Sequence, residues 1–546
     1  MKPAFSPALD PRFVLSLIVA SWAWPIRAEE PLHEQIDRLI AAGDPEFERK
    51  AAPLASDAEF LRRVYLDLVG TIPSAEEARA FLADSSPDKR ARLIDDLLAR
   101  PEHARHLQHV FDALWLERRP DRGVPRGQWQ QYLFEAFRSN KPWDQLVREL
   151  LAPDLKDPKI QAAAKFYLDR DAEPHQMTSD VSRLFLGMNL QCAQCHDHPV
   201  VDDYTQDSYY GIYAFLSRSY VHRPRGSNSS MLAEKAEGEV TYQSVFDPKK
   251  VTKSAGPRLP GGELLKEPKF EKGQEYEPAK GNAAPVPKFS RREQLAVLLA
   301  SRDNAAFKRA SANRFWALLM GRGLVHPVDL DHSNNPASHP ELLDLLANRF
   351  ADIRFDIRAF LRELALSRTY QRSSELPVGV DESARETFAV ANLKPLSPEQ
   401  LAFAVMQATG WTDVERKSAK DPNVLYGRLA ANMAPFVAAF GTRPGQPIDG
   451  SYEATLDQAL FVAHGKLLAT WLAPHPGGNL TFRLGQRTDP REVAEELFLS
   501  VLTRWPSDEE RKEVVQYLQD RSGDRVAALQ ELTWALLAST EFRFNH

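Results

Sequence analysis

The sequence predicts a mainly α-helical protein, with two helical domains joined by an irregular insertion of minor β content. Three observations predict it. Helix-start residues followed by apolar stripes of helical period recur along the chain, in units of about 10–15 residues. Between Tyr220 and about Lys288 that rhythm stops, and Pro, Gly, Lys and Glu cluster instead. Strand-like alternation is confined to one short run, Glu239-Val240-Thr241-Tyr242-Gln243-Ser244-Val245.

The elements follow in order. Ser56-Asp57 precedes Phe60, Leu61, Val64 and Leu68, which share one helical face, and Gly70 stops the helix. Ser74-x-x-Glu77 reads as a capping box for a helix running towards Leu82. Pro87-Asp88 opens a third, with Leu93, Ile94, Leu97 and Leu98 on one face and Pro101 closing it. Further helices are expected at about 104–116, 125–139, 142–152 and 177–189. On the last of these Met188 continues the stripe of Val181, Leu184 and Phe185, which makes it a core residue. Similar boxes stand at Ser338-x-x-Glu341, Ser397-x-x-Gln400 and Ser507-x-x-Glu510. The expected division is a helical domain over 31–219, the insertion over 220–288 and a second helical domain over 289–546.

A chain of 546 residues, 43% of them hydrophobic, is long enough to bury substantial cores. Lys2 and Arg12 precede the apolar stretch Phe13–Trp24, and Ala28 offers a small residue before Glu29-Glu30. This is the layout of a secretory signal peptide over residues 1–28, and the apolar core is shorter than the about 20 residues of a membrane span. The expected protein is therefore exported, to the periplasm or the cell surface, with no integral membrane span after cleavage. Removing that segment takes the formal charge from −6 to near −8, which argues against nucleic acid or an anionic membrane as partner.

The only two cysteines lie in Cys192-Ala193-Gln194-Cys195-His196-Asp197-His198-Pro199. C-x-x-C-H is the attachment signature of c-type haem. Two thiols on one turn can both add to the haem vinyl groups, and the adjacent His196 is then presented to the iron as an axial ligand. Three alternatives share the pattern. An exported protein can keep Cys192 and Cys195 as a small disulfide. A thiol–disulfide redox motif has the same spacing, although no βαβ pattern surrounds this one. Cys192, Cys195, His196 and His198 could also hold zinc or iron, in a cramped set of four ligands.

His198, two residues from His196, cannot easily reach the opposite face of a haem, so it is expected to hydrogen-bond within the motif or beside the ligand. Asp197 is expected either to orient a histidine nitrogen or to be a solvated acid. Met231, His175 and His222 are the candidates for the sixth iron position. Haem implies a redox partner protein. The other class of function is an exported metal-dependent enzyme or polymer-binding protein, with an extracellular polymer as partner. No Ser-His-Asp order, Walker loop or dinucleotide fingerprint can be read in the chain.

The string Arg183–Gln191 running into the cysteine motif resembles a family of exported proteins abundant in planctomycetes. Its members pair domains of unknown function 1549 and 1553, and the first is labelled cytochrome-c-like on account of this motif. Leu61–Gly70 with Ile72-Pro73 resembles the family's opening block, and Asn140-Lys141-Pro142-Trp143-Asp144 a middle one. Ala312-Asn313-Arg314-Phe315-Trp316, Gly321–Val325, Pro327-Val328-Asp329, Ser338–Leu343 and Glu541–His546 resemble blocks of the second domain. The chain departs from the pattern at His464-Gly465, where the family has Asn-Gly, and lacks the separate cytochrome module of some members. Asn313, Arg314 and Trp316 are expected to pack in the core with a buried Arg–acid pair, and His339 to serve local structure at a helix start.

Overall fold

Helix starts follow the local cap chemistry. The computed structural model describes residues 30–224, 226, 230–278, 284–447 and 454–546, and the expected signal peptide lies outside them. Ser56 accepts the Glu59 N–H and opens Asp57–Val69, which ends at Gly70 in the left-handed conformation (φ 74°). Ser74 and Glu77 form a reciprocal box on Ala75–Ala83. Ser397 with Gln400, and Ser507 with Glu510, do the same for Pro398–Ala408 and Asp508–Asp520. Losing such a cap costs about 0.5–2 kcal/mol. The chain is mainly α-helical.

Three boundaries differ from the sequence expectation. Pro101 opens the helix Pro101–Leu116 at its first turn, where a missing N–H is harmless, and the preceding helix has already ended at Ala99. Helix Pro174–Leu186 stops early because Gly187 takes a left-handed φ of 69°. Met188 therefore lies beyond the helix, packed against the core and bridged to Leu330. Ser338 forms no capping box: Pro340 fixes the first helical position of Pro340–Asp352, so the cap residue is His339. Ser338 instead hydrogen-bonds the His339 ring (3.1 Å).

The insertion carries two of the three short strand pairs among the described residues. Ser219–His222 pairs antiparallel with Met231–Glu234, in the register His222↔Met231. Val240–Tyr242 pairs with Lys253–Ala255. Among the described residues from 223 to 290 there is no helix.

The apolar core does not divide at this insertion. The larger cluster draws residues from Leu32 to Val390 together with Leu499, and a smaller one from Leu401 to Phe542 that also takes in Leu66 and Ile72. An aromatic knot shows why: Trp143 lies 5.0 Å from Phe111, 5.6 Å from Trp115 and 5.1 Å from Phe315. Its indole N–H donates to Ser311 Oγ (2.9 Å), so a helix before the insertion is locked to Ala305–Met320 after it. Arg314 pairs with Asp329 (2.6 Å), and both are half-buried where a buried Arg–acid pair is expected, because they also line a cavity.

Helix Asp57–Val69 also holds the far end of the chain. Arg62 donates to the carbonyls of Val501 (3.2 Å) and Phe542 (2.7 Å), and Arg63 to those of Tyr370 (2.6 Å) and His546 (3.1 Å). Buried Asp67 accepts from Lys394, Tyr370 (2.8 Å) and Asn545 (2.7 Å). Phe544–Asn545 completes this region by pairing with Lys394–Pro395. Among the described residues no helix is long and apolar enough to cross a membrane.

Candidate functional site

The cysteine motif occupies a short turn after the helix Pro174–Leu186. Gln191–Gln194 is one turn of 3-10 helix, and Cys195 follows it. Both thiols are free and exposed. The turn is pinned through its main chain. The Gln194 carbonyl accepts from the Tyr210 hydroxyl (2.9 Å), and the Cys195 carbonyl from the Val245 N–H (3.0 Å). Tyr210 in turn stacks on Tyr242 at 4.3 Å and 7°, so one strand of the insertion forms part of the wall beside the motif. Burial raises the Tyr210 hydroxyl above its ordinary pKa, and the nearby Cys195 adds to that.

The two histidines differ in tautomer. His196 Nδ1 faces the Asp197 carbonyl at 2.7 Å, and a carbonyl can only accept, so Nδ1 carries the proton. The lone pair of its Nε2 is thereby left for a ligand, the arrangement that metal-binding histidines use. His198 is the reverse. Its Nδ1 accepts the N–H groups of Val200 (3.3 Å) and Val201 (3.1 Å), which spends that lone pair on closing the loop. The Asp197 carboxylate orients neither ring; it accepts the Gln206 N–H (2.7 Å) at the start of helix Gln206–Leu216. The His196 ring packs against Phe246 at 4.5 Å.

These features fit a covalently held haem in their chemistry: two unpaired thiols at the required spacing and one imidazole with a committed Nδ1–H. Among the described residues no group of three or more His, Cys, Asp or Glu is arranged to hold a metal ion. Of the sixth-position candidates, His175 lies on the far side of Tyr210 from the motif turn. Its ring stands edge-on to Tyr210 (6.5 Å, 86°) and hydrogen-bonds Tyr209 (2.9 Å). His222 and Met231 oppose each other across the strand pair.

A second site escaped the sequence reading. A cavity of about 830 Å³ is walled by Val69–Ile72, by helix Pro101–Leu116, by Gly321–Gly323 with His326–Asp329, and by Leu393–Gln400. No residue of the Cys192–His198 turn lines it. Helix Pro101–Leu116 places His103, His106 and His109 on one stripe, and all three are buried. Burial lowers His103 to about 4; burial, with the neighbouring His103 and His109, lowers His106 to about 3. Both are neutral at physiological pH. His109 Nε2 hydrogen-bonds the Tyr426 hydroxyl (2.9 Å). Arg118 grips Glu399 through two N–H groups (2.7 and 3.2 Å) and, against the effect of burial, holds that carboxyl below its ordinary range.

The two sites share one connection. Asp329 lines the cavity, and the segment that follows it bonds to the motif side. Tyr204 donates to the Asp331 carbonyl (3.3 Å), the Ser333 N–H to Asp203 (2.6 Å) and the Asn334 amide to the Val200 carbonyl (2.5 Å).

Residues 35–220 match the family model described as PSCyt2, protein of unknown function DUF1549. Residues 291–518 match that described as PSD1, protein of unknown function DUF1553. No curated protein matches the chain, and no solved structure does. The cavity takes walls from both matched regions, the first supplying Val69–Ile72 and the second Gly321–Gly323 and His326–Asp329. The chain belongs to the proteins that pair a DUF1549 domain with a DUF1553 domain.

Proposed function

We propose that this is an exported c-type haem protein, acting in electron transfer or another haem-based redox role at the periplasm or cell surface. Cys192 and Cys195 would hold the haem as thioethers, and His196 Nε2 would ligate the iron. The opposed tautomers of His196 and His198 support this most directly. One imidazole has its outer nitrogen free and its inner N–H committed to a carbonyl, while the other is used up in closing the loop. When bound, the haem supplies a one-electron redox centre. The chain's own part is to present both thiols on one turn, fix the His196 ring through Asp197, and brace that turn through Tyr210 and Val245. The region from 289 onward would dock a redox partner protein.

The test is the alkaline pyridine spectrum of full-length protein made in a host with an active haem-ligation system. Wild type should show covalent haem, Cys192→Ala and Cys195→Ala should each lose one thioether, and the double variant should lose covalent haem. His196→Ala should keep the attachment but change spin state, and His198→Ala should leave spin state close to wild type. Wild-type protein with no haem mass and no Soret band overturns the proposal. Stoichiometric zinc or iron, lost equally in both histidine variants, would install the metal-site alternative in its place.

A further inference from the structure

The haem proposal makes no use of the cavity beside helix Pro101–Leu116, and Arg105 is what gives that cavity a chemical preference. Its guanidinium lies 3.3 Å from the ring centroid of Phe134 and 4.0 Å from that of Tyr426. Its N–H groups reach only neutral oxygens, Gln108 Oε1 at 3.3 Å and Asn423 Oδ1 at 3.2 Å. Among the described residues no carboxylate lies within ion-pair distance of it, and Glu135 acts on it only from farther off. Other cations of the lining are matched: Arg118 by Glu399, Arg314 by Asp329 and Lys394 by Asp67. The Thr71 hydroxyl, on the same lining, is buried without a hydrogen-bond partner.

The remaining cations of the lining are matched as well: Arg100 pairs with Glu77, and Arg322 and Arg416 pair with Glu386 and Asp413 beyond the lining, so among the described residues Arg105 is the lining cation without an ion pair. A partly buried guanidinium with no carboxylate in ion-pair contact is under-neutralised, and an anion brought to it inside a cavity gains more than it would in water. Much of the remaining wall is apolar, with Val110, Phe111, Leu114, Leu425 and Phe440, and Phe403 stacks on Tyr426 at 6.2 Å and 14°. The volume falls in the range of about 300–1,000 Å³ typical of small-molecule sites.

We propose that this cavity binds a small organic anion with an apolar ring body, its carboxylate paired with Arg105 and its ring on the aromatic wall. Because the walls come from both matched regions, neither region would make the site alone, which gives the pairing of the two domains a physical purpose.

Calorimetric titration of the full-length protein with 2-naphthoate, its neutral isostere 2-naphthamide, and glucuronate tests this. Naphthoate should bind at least about tenfold more tightly than either of the others. Arg105→Gln should lower naphthoate affinity about tenfold and leave naphthamide unchanged. Equal affinities of naphthoate and naphthamide, or no naphthoate binding up to about 10 mM, overturn the proposal. Glucuronate binding as tightly as naphthoate would overturn the apolar body. Circular dichroism checks that Arg105→Gln folds, and the wild-type comparison decides the matter even if it does not.

Discussion

Acidification should destabilise this protein well before its carboxylates titrate, through the histidine stripe on helix Pro101–Leu116. His103 and His106 are buried and lowered to about 4 and about 3, whereas both return to about 6.5 in the unfolded chain. Between those values the unfolded state binds more protons, so unfolding free energy rises with pH and falls as pH drops through 6.5. From pH 7.5 to 5.5 each unfolded imidazole gains about 1.4 kcal/mol by protonation that the folded one cannot take up, so the pair contributes about 2.5–3 kcal/mol. His109, also lowered chiefly by burial, adds in the same direction. Around the stripe, Arg358 opposes protonation of His103 and Lys394 that of His106, while at His109 Glu399 and Asp112 favour it and Arg105 and Arg118 oppose it. Urea titrations at the two pH values, on wild type and on the His103→Gln/His106→Gln double variant, read the difference directly. The variant's pH dependence should be shallower by about 2.5–3 kcal/mol. Equal pH dependence in the two proteins, or imidazole resonances titrating near 6.5 in the native state, would refute the reasoning.

Four further outcomes are expected. Asp67→Ala strands Lys394, Tyr370 and Asn545 together and should cost about 3–5 kcal/mol in urea unfolding, with Asp67→Asn costing less. Trp143→Ala opens the aromatic knot between the two sides of the insertion and should lower stability by about 3–5 kcal/mol, read as a lower Tm. Gly70→Ala should cost at least about 1–2 kcal/mol, because φ is 74° and the new Cβ would sit 2.5 Å from His106 Nδ1. His198→Ala frees two loop N–H groups and should cost about 0.5–1.5 kcal/mol, with proteolysis near Val200 becoming faster.

Much of the helical scaffold is legible because its signals are local. Ser56, Ser74, Ser397 and Ser507 each lie within three residues of the N–H they cap, and so they mark true helix starts. The boundaries that shifted are those where one residue overrides the pattern: Gly187 ends a stripe that continues in sequence, and Pro340 moves the cap from Ser338 to His339. Thr455 and Gln458 form a further box of the same kind that the sequence reading passed over. The cysteine motif is legible because it is contiguous. The contrast between His196 and His198 is not, since it depends on how the loop folds back onto Val200 and Val201. The cavity is illegible for a different reason. Its walls lie some hundreds of residues apart, and polar residues such as His106, Asp67 and Glu399 give no periodic sign that they will be buried.

The clamp made by Arg62 and Arg63 bears on the order in which this chain can fold. Their acceptors lie as far as 439 to 483 positions downstream, on Val501, Phe542 and His546. A chain made from its N-terminus forms helix Asp57–Val69 early, with Glu59 beside Arg63, but the two guanidinium groups gain their full set of acceptors only as Tyr370, Val501, Phe542 and His546 follow. Contacts of such long range carry a large loop-closure cost and slow folding. The full seating of helix Asp57–Val69 is therefore a late step of folding, set by contacts that close loops of more than 400 residues.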